Sequence, residues 1–235
     1  MRTRPDGTPS PIRRYLRIAI ILAILLLGVL PLGIIITYRF VDPPFTPLML
    51  VRSSEGHGRG WRWTDLDDLP SEALRGAIAS EDLRFCKHWG IDVGAVEKAI
   101  EDHERGAPLR GASTITMQVT RNVLLWQGRS YFRKGLEALY APVIDLIWGK
   151  DRVIEIYLNI AEWGPGIYGI EAAARAWFGK PALELSREEV TRLFAILPSP
   201  LRWDPRIDTP DLRHRRRRIG RAMRTVRIGR DTVCP

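Results

Sequence analysis

The chain has 235 residues, 45% hydrophobic and 27% charged, which excludes a disordered or fibrous protein and suits one domain plus an anchor. Lys and Arg number 36 against 27 Asp and Glu, a net charge of +9, so anionic partners are expected: nucleic acid, anionic lipid or a phosphorylated substrate. Cys86 and Cys234 fit neither a zinc site nor a dense disulfide framework; a bridge between them stays open in an oxidising compartment, but the penultimate Cys234 reads as a mobile end and the pairing is not favoured.

Residues 1–17 form a basic N-terminus with Arg2, Arg4, Arg13, Arg14 and Arg17. The uncharged run at 18–37 follows; a helix of that length spans about 30 Å, the thickness of the hydrocarbon core. The arginines predict a cytoplasmic N-terminus and an external remainder. A cleaved signal peptide would have a shorter apolar region ending in small residues; this run leads into Tyr38-Arg39-Phe40, so an uncleaved, single-pass anchor is predicted over 18–38. Pro31 and Gly33 are tolerable in a membrane helix.

Residues 39–68 read as a linker and irregular lead-in, with Pro43, Pro44, Pro47, Gly56, Gly58 and Gly60 ahead of Trp61 and Trp63. Strands are expected to be short and near 45–65. A mainly α-helical domain is predicted over 69–209. Leu74, Ala77 and Ile78 form an apolar stripe that Glu81 continues. A second helix is expected over 93–104 and a mobile loop over 106–111. Ser113 is taken as the N-cap of a helix carrying Ile115, Val119 and Val123. The amphipathic pattern of 130–148 places Phe132, Leu136, Leu139, Tyr140, Val143 and Ile147 inward, with Gly149 as a stop and Asp151 capping the next helix. Residues 163–169 turn, 172–177 are helical, and Ser186 with Glu189 forms a capping box for a helix to Leu197. Residues 210–235 are set apart as a basic tail, read as a solvated helix, a headgroup contact or a nucleic-acid binder.

Two groups carry chemistry. In EDLRFCKHWG, an inward Glu81 beside Asp82 and near His88 fits a general base with a tuned pKa; the plainer reading is a helix-end acid pair. Arg129, Arg133 and Glu137 share a helical face, with Lys134 three residues before Glu137 and Arg121 upstream. Cations gathered around one carboxylate suit a diphosphate leaving group. Read alone, a solvated face with an Arg–Glu pair is the simpler account.

EDLRFCKHWG resembles the first signature of the peptidoglycan glycosyltransferases, EDxxFxxHxG. RGASTITMQVTRN, RSYFRKGLEA, RVIEIYLNIAEWGPGIYGIEAAA and LFAILPSPLRWDP are similar to the next four, in order, and together cover about residues 75–205. One anchor and one domain resemble the monofunctional members. The resemblance implies a lysozyme-like glycosyltransferase domain that polymerises lipid II on the periplasmic side of a bacterial inner (plasma) membrane. It implies that Glu81 is the catalytic base and that Glu137 is the second glutamate, near the leaving diphosphate. Lys134, Arg133, Arg129 and Arg121 become diphosphate-binding cations; Ser113, Gln118 and Asn122 line the cleft, and Lys98 lies near the acceptor's phosphates. Asp82, Phe85 and His88 shape the first motif. Two departures stand out: Met117 replaces a common Gln, and Arg121 a usual Lys, which is not equivalent at a phosphate. Glu155 is an alternative second acid; Glu137 is preferred because it lies beside the cations.

No cofactor or bound metal is required, and a divalent cation, Mg or Mn, is left open. The expected partners are lipid II, the growing strand, membrane lipids and cell-wall synthesis or division proteins, but no nucleic acid, given the outward topology. A lytic enzyme of similar fold is disfavoured by the cations, because it must protonate a sugar oxygen leaving group. A non-enzymatic scaffold would tolerate loss of Glu81.

Overall fold

The computed structural model describes residues 11–58, 60–107, 111–128, 130–230 and 232–235. Its contacts divide the chain into two units, one ending at Val41 and the other beginning at Asp42.

The first unit is one long helix. Helices α1 (Pro11–Ile24) and α2 (Leu30–Tyr38) are joined by a π-helical turn, Leu25–Val29. Pro31 explains the wider turn: its ring would strike the carbonyl one turn back, and widening the ladder relieves the clash. Residues Ile12–Tyr38 form a 27-residue helix long and apolar enough to cross a membrane.

The second unit is mostly helical. Helix α3 (Pro47–Ser54) lies where the sequence reads as linker. Thr46 caps it by accepting from the Met49 amide at 3.3 Å, and Pro47 sits in the first turn, where no donor is missed. Strand β1 (Gly60–Trp61) precedes α4 (Ser71–Glu81), α5 (Val93–Glu104) and α6 (Ile115–Leu124). Helix α7 (Tyr131–Ile160) is interrupted at Gly149, whose φ of 71° breaks the helical path at the expected stop. Strands β2 (Glu162–Gly164) and β3 (Ile167–Tyr168) form a hairpin, and β1 adds parallel to β3, giving the order β1-β3-β2. Two of the three strands thus fall in the stretch read only as a turn. Helices α8 (Ile170–Phe178), α9 (Arg187–Ile196) and α10 (Pro210–Met223) complete the unit. The Ser186–Glu189 capping box forms as expected.

Five expectations are corrected. The cap of α6 is Thr114, which accepts from the Met117 amide; Ser113 turns elsewhere. The inward face of α7 is Arg133, Leu136, Glu137, Tyr140, Ala141, Ile144, Asp145 and Trp148, whereas Phe132 and Leu139 are exposed. Polar side chains occupy that face because they pair with one another, so an apolar stripe alone misplaces it. The basic tail is not separate: α10 packs on α4 and α9 through Leu212, Ile219 and Met223, all buried. Nor is Cys234 a loose end. It is disulfide-bonded to Cys86, and the Val233 amide donates to Asp151 Oδ1 at 2.7 Å, so Asp151 holds the C-terminus rather than capping a helix.

Candidate active site

Helix α4 delivers Glu81 on its last turn. Gln118 Nε2, on α6, donates to Glu81 Oε2 at 2.9 Å. A cavity of about 310 Å³ opens beside Glu81, walled across from it by Arg218, Ile219 and Ala222 of α10. Burial pushes the Glu81 carboxyl above its ordinary pKa; hydrogen bonds from Gln118 and Ser80 and the charge of Arg215 pull it back, while Asp82 adds to the rise.

The rest of the first motif holds this turn in place. The buried Asp82 accepts from the Ile115 amide at 3.1 Å and meets His88 Nε2 at 3.0 Å. That pair ties the end of α4 to the start of α6 and makes His88 a brace. Phe85 is fully buried beneath, with Lys150 Nζ 4.6 Å above its ring. Gly90, at φ +74°, lies so close to α7 that a Cβ would come within 2.5 Å of the Ala141 carbonyl, so the motif tolerates only glycine there.

The cations converge on α7. Ser130 caps this helix through the Arg133 amide. Glu137, 2% exposed, accepts from Arg133 Nη1 with one carboxylate oxygen and from Lys134 Nζ at 2.8 Å with the other. Lys134 also donates to Ser113 Oγ at 2.6 Å, and Arg133 Nη2 to the Gly128 carbonyl at 2.6 Å. Burial, then Arg121 and Arg133, lower the Lys134 pKa to about 8 despite its contact with Glu137. Arg121 is also depressed by burial; the negative charge of Glu81 works against that, so the cation cluster and the carboxylate sense each other. Arg121 Nε and Gln127 Nε2 both donate to Asn122 Oδ1 at 3.4 Å. A polar cavity of about 370 Å³ opens here, with Arg52, Arg121, Asn122, Gln127, Glu162 and Arg202 among its lining. The arrangement offers a carboxylate able to take a proton and a separate cationic wall able to receive negative charge.

The family model described as Transglycosylase matches residues 50–224. The chain belongs to the transglycosylase family. A curated relative named "Biosynthetic peptidoglycan transglycosylase", from Caulobacter vibrioides, is 45% identical over 92% of this chain and 94% of its own. A relative of the same name from Rhodospirillum centenum is 45% identical over 93% of each chain, and one from Shewanella frigidimarina is 46% identical over 75% of this chain and 77% of its own. The transglycosylase match runs through α10, which joins the supposed tail to the domain.

Of the residues singled out in the sequence, Glu81 and Gln118 meet directly, as do Ser113, Lys134, Glu137 and Arg133, and as do Arg121 and Asn122. Lys98 is not brought to them: its side chain is 76% exposed on α5, 3.9 Å from Asp102. Arg129 lies outside the described residues, as do 108–110 of the expected loop. Glu155 accepts from the Leu66 amide and Arg152, a structural role. Sequence reading missed Asp145, buried on α7, which accepts from the Gly90 amide at 2.6 Å, Lys150 Nζ at 2.6 Å and Thr116 Oγ1 at 3.2 Å. The signal was present, since Asp145 interrupts a buried helical face as Glu81 does. It also missed Arg52 and Gln127, outside every quoted signature, and Glu162 and Arg202, which lie in the fourth and fifth with no local sign that they meet Arg121's cavity.

Proposed function

We propose that this protein is a peptidoglycan glycosyltransferase that polymerises lipid II into β-1,4-linked glycan and releases undecaprenyl diphosphate. The observation that carries this reading is the pairing of a half-buried carboxylate at a cavity, Glu81, with a separate cation cluster built on Glu137. The names of the curated relatives support it.

Glu81 takes the proton from the 4-hydroxyl of the acceptor GlcNAc. The oxygen attacks the anomeric carbon of the donor MurNAc, the bond to the lipid diphosphate breaks, and α configuration becomes β. A base kept from water has a raised pKa and so a greater pull on that proton, provided it is ionised at working pH. Charge builds on the leaving diphosphate, and Arg121, Arg133 and Lys134 receive it through charge-assisted hydrogen bonds. Glu137 fixes two of those cations. Arg129 joins them by motif position. A glycan-cleaving enzyme would instead use Glu81 as an acid, and the cations would have no leaving group to serve.

No cofactor is needed for these steps. Among the described residues no group of three His, Cys, Asp or Glu gathers that could hold a metal ion, and a divalent cation, Mg or Mn, stays open in this proposal. The location proposed is a bacterial inner membrane with the domain on the periplasmic side. Support comes from the apolar helix and from exposed Trp126, Phe132, Leu139 and Leu146, an apolar surface suited to membrane lipids. Cell-wall synthesis or division proteins are proposed partners.

The test is polymerisation of labelled lipid II by the full chain in detergent, with Glu81→Gln alongside. Polymer from wild type and none from the folded variant supports the reading. Cleavage of preformed glycan without synthesis overturns it in favour of a lytic enzyme, and no reaction from folded wild type favours a scaffold.

A further inference from the structure

Away from Glu81, helices α9 and α10 enclose a groove of about 500 Å³ lined by Arg187, Arg216, Arg217, Arg221 and Arg224, with Glu188 on its rim. Its floor is low because Gly220, which has no side chain, faces Thr191. Two of the arginines are engaged: Arg187 with Glu72, and Arg216 with Glu188 and Asp208. Glu188 is further neutralised by Arg192. Arg217, Arg221 and Arg224 are exposed and form no ion pair among the described residues. They recur on one face over two turns, about 10 Å of helix. Like charges at this spacing repel one another, so a structure that keeps them side by side is suited to a polyanion.

Helix α10 separates this groove from the chemistry by its own width. One side carries Arg217, Gly220 and Arg221 in the groove; another carries Arg218, Ile219 and Ala222 in the cavity of Glu81. Newly joined sugar therefore forms one helix away. No large exposed apolar side chain lines the groove, whereas such residues are found on α5 and α7, at Val93, Ile100, Phe132, Leu139 and Leu146. A lipid surface would use both kinds of contact. The guanidinium fork matches carboxylates, and nascent glycan carries carboxylate-bearing peptide stems at each repeat.

Resting on the function proposed above, we infer that the α9–α10 groove binds the anionic peptide stems of the growing glycan strand and retains the product between additions. Each added disaccharide brings another stem, so retention strengthens as the strand grows.

The experiment uses the full chain in detergent and a triple variant, Arg217→Gln, Arg221→Gln and Arg224→Gln, with a triple Arg→Lys variant to separate charge from folding. Two quantities are read: product length from labelled lipid II, and binding to purified glycan strands with stems intact or removed by an amidase. Expected are an initial lipid II consumption rate close to wild type, a several-fold shorter product, and a preference for stem-bearing strands that the Gln variant loses and the Lys variant largely keeps. Unchanged product length overturns the proposal, as does equal binding of stem-free strands by wild type. Loss of binding to phosphatidylglycerol vesicles with glycan binding intact overturns it in favour of a lipid surface. If wild type makes no polymer, the glycosyltransferase reading fails, while the strand-binding measurement still judges the groove.

Discussion

Glu137 is buried and Glu81 half-buried at a cavity wall, and the two are compensated in opposite ways. Glu137 has a cation on each oxygen, Arg133 and Lys134, so its charge is satisfied and its position fixed. Glu81 has only neutral donors, Gln118 and Ser80, and more distant charges, so burial wins and its pKa rises. A carboxylate that is fully paired orders its neighbours; one that is under-compensated remains able to take a proton. The difference supports the proposal of Glu81 as the base and Glu137 as an organiser, without appeal to motif order.

The strongest challenge to this contrast is Glu81→Gln. We expect polymerisation to fall about 10²- to 10⁴-fold, while thermal unfolding at neutral pH shows a protein at least as stable as wild type. The sign follows from linkage: the folded pKa lies above the unfolded one, so native Glu81 gives up stability as pH rises through that window, and a neutral amide escapes the loss. A destabilised Glu81→Gln would break the contrast. Glu137→Gln should do the opposite to stability, costing about 3 kcal/mol in a denaturant titration because it leaves Arg133 buried without its carboxylate. Its activity should fall as well, through misplaced cations. Next in size is the pH profile of kcat/KM. The acid limb reports Glu81 and lies above the ordinary carboxylate value; the alkaline limb reports Lys134, near 8, where the ammonium loses its charge. Lys134→Arg should move the alkaline limb upward and leave the acid limb alone. The smallest effect belongs to Gln118→Ala, which removes the hydrogen bond that lowers the Glu81 pKa. The acid limb should shift upward, and activity near neutral pH should change only a few-fold. An unmoved limb would mean that Gln118 does not tune the base.

Local signals carried much of this architecture. The range of α5, the Ser186 box and the break at Gly149 follow from short-range rules of capping and backbone freedom. The face of α7 did not, because apolar periodicity cannot tell that Arg133, Glu137 and Asp145 find partners inside. Asp145 owes its burial to Gly90, Thr116 and Lys150, and Gly90 is 55 residues away along the chain. Glu81 and the α7 cations were readable because family signatures contain them. Arg52 belongs to no signature, and Glu162, its partner across 110 residues in the second cavity, lies in the fourth, where nothing local points it at Arg52. The arginine run 213–218 reads as solvated on charge alone; Leu212, Ile219 and Met223 show that three apolar positions suffice to seat it.

The Cys86–Cys234 bridge gives the molecule a covalent record of where it has been. It joins positions 148 residues apart, so it closes only once both segments have been made and brought together. Cytosolic thiol pools oppose it and an oxidising compartment favours it. Alkylation of cysteines in intact cells, followed by a mass measurement, would thus report which copies have reached an oxidising compartment.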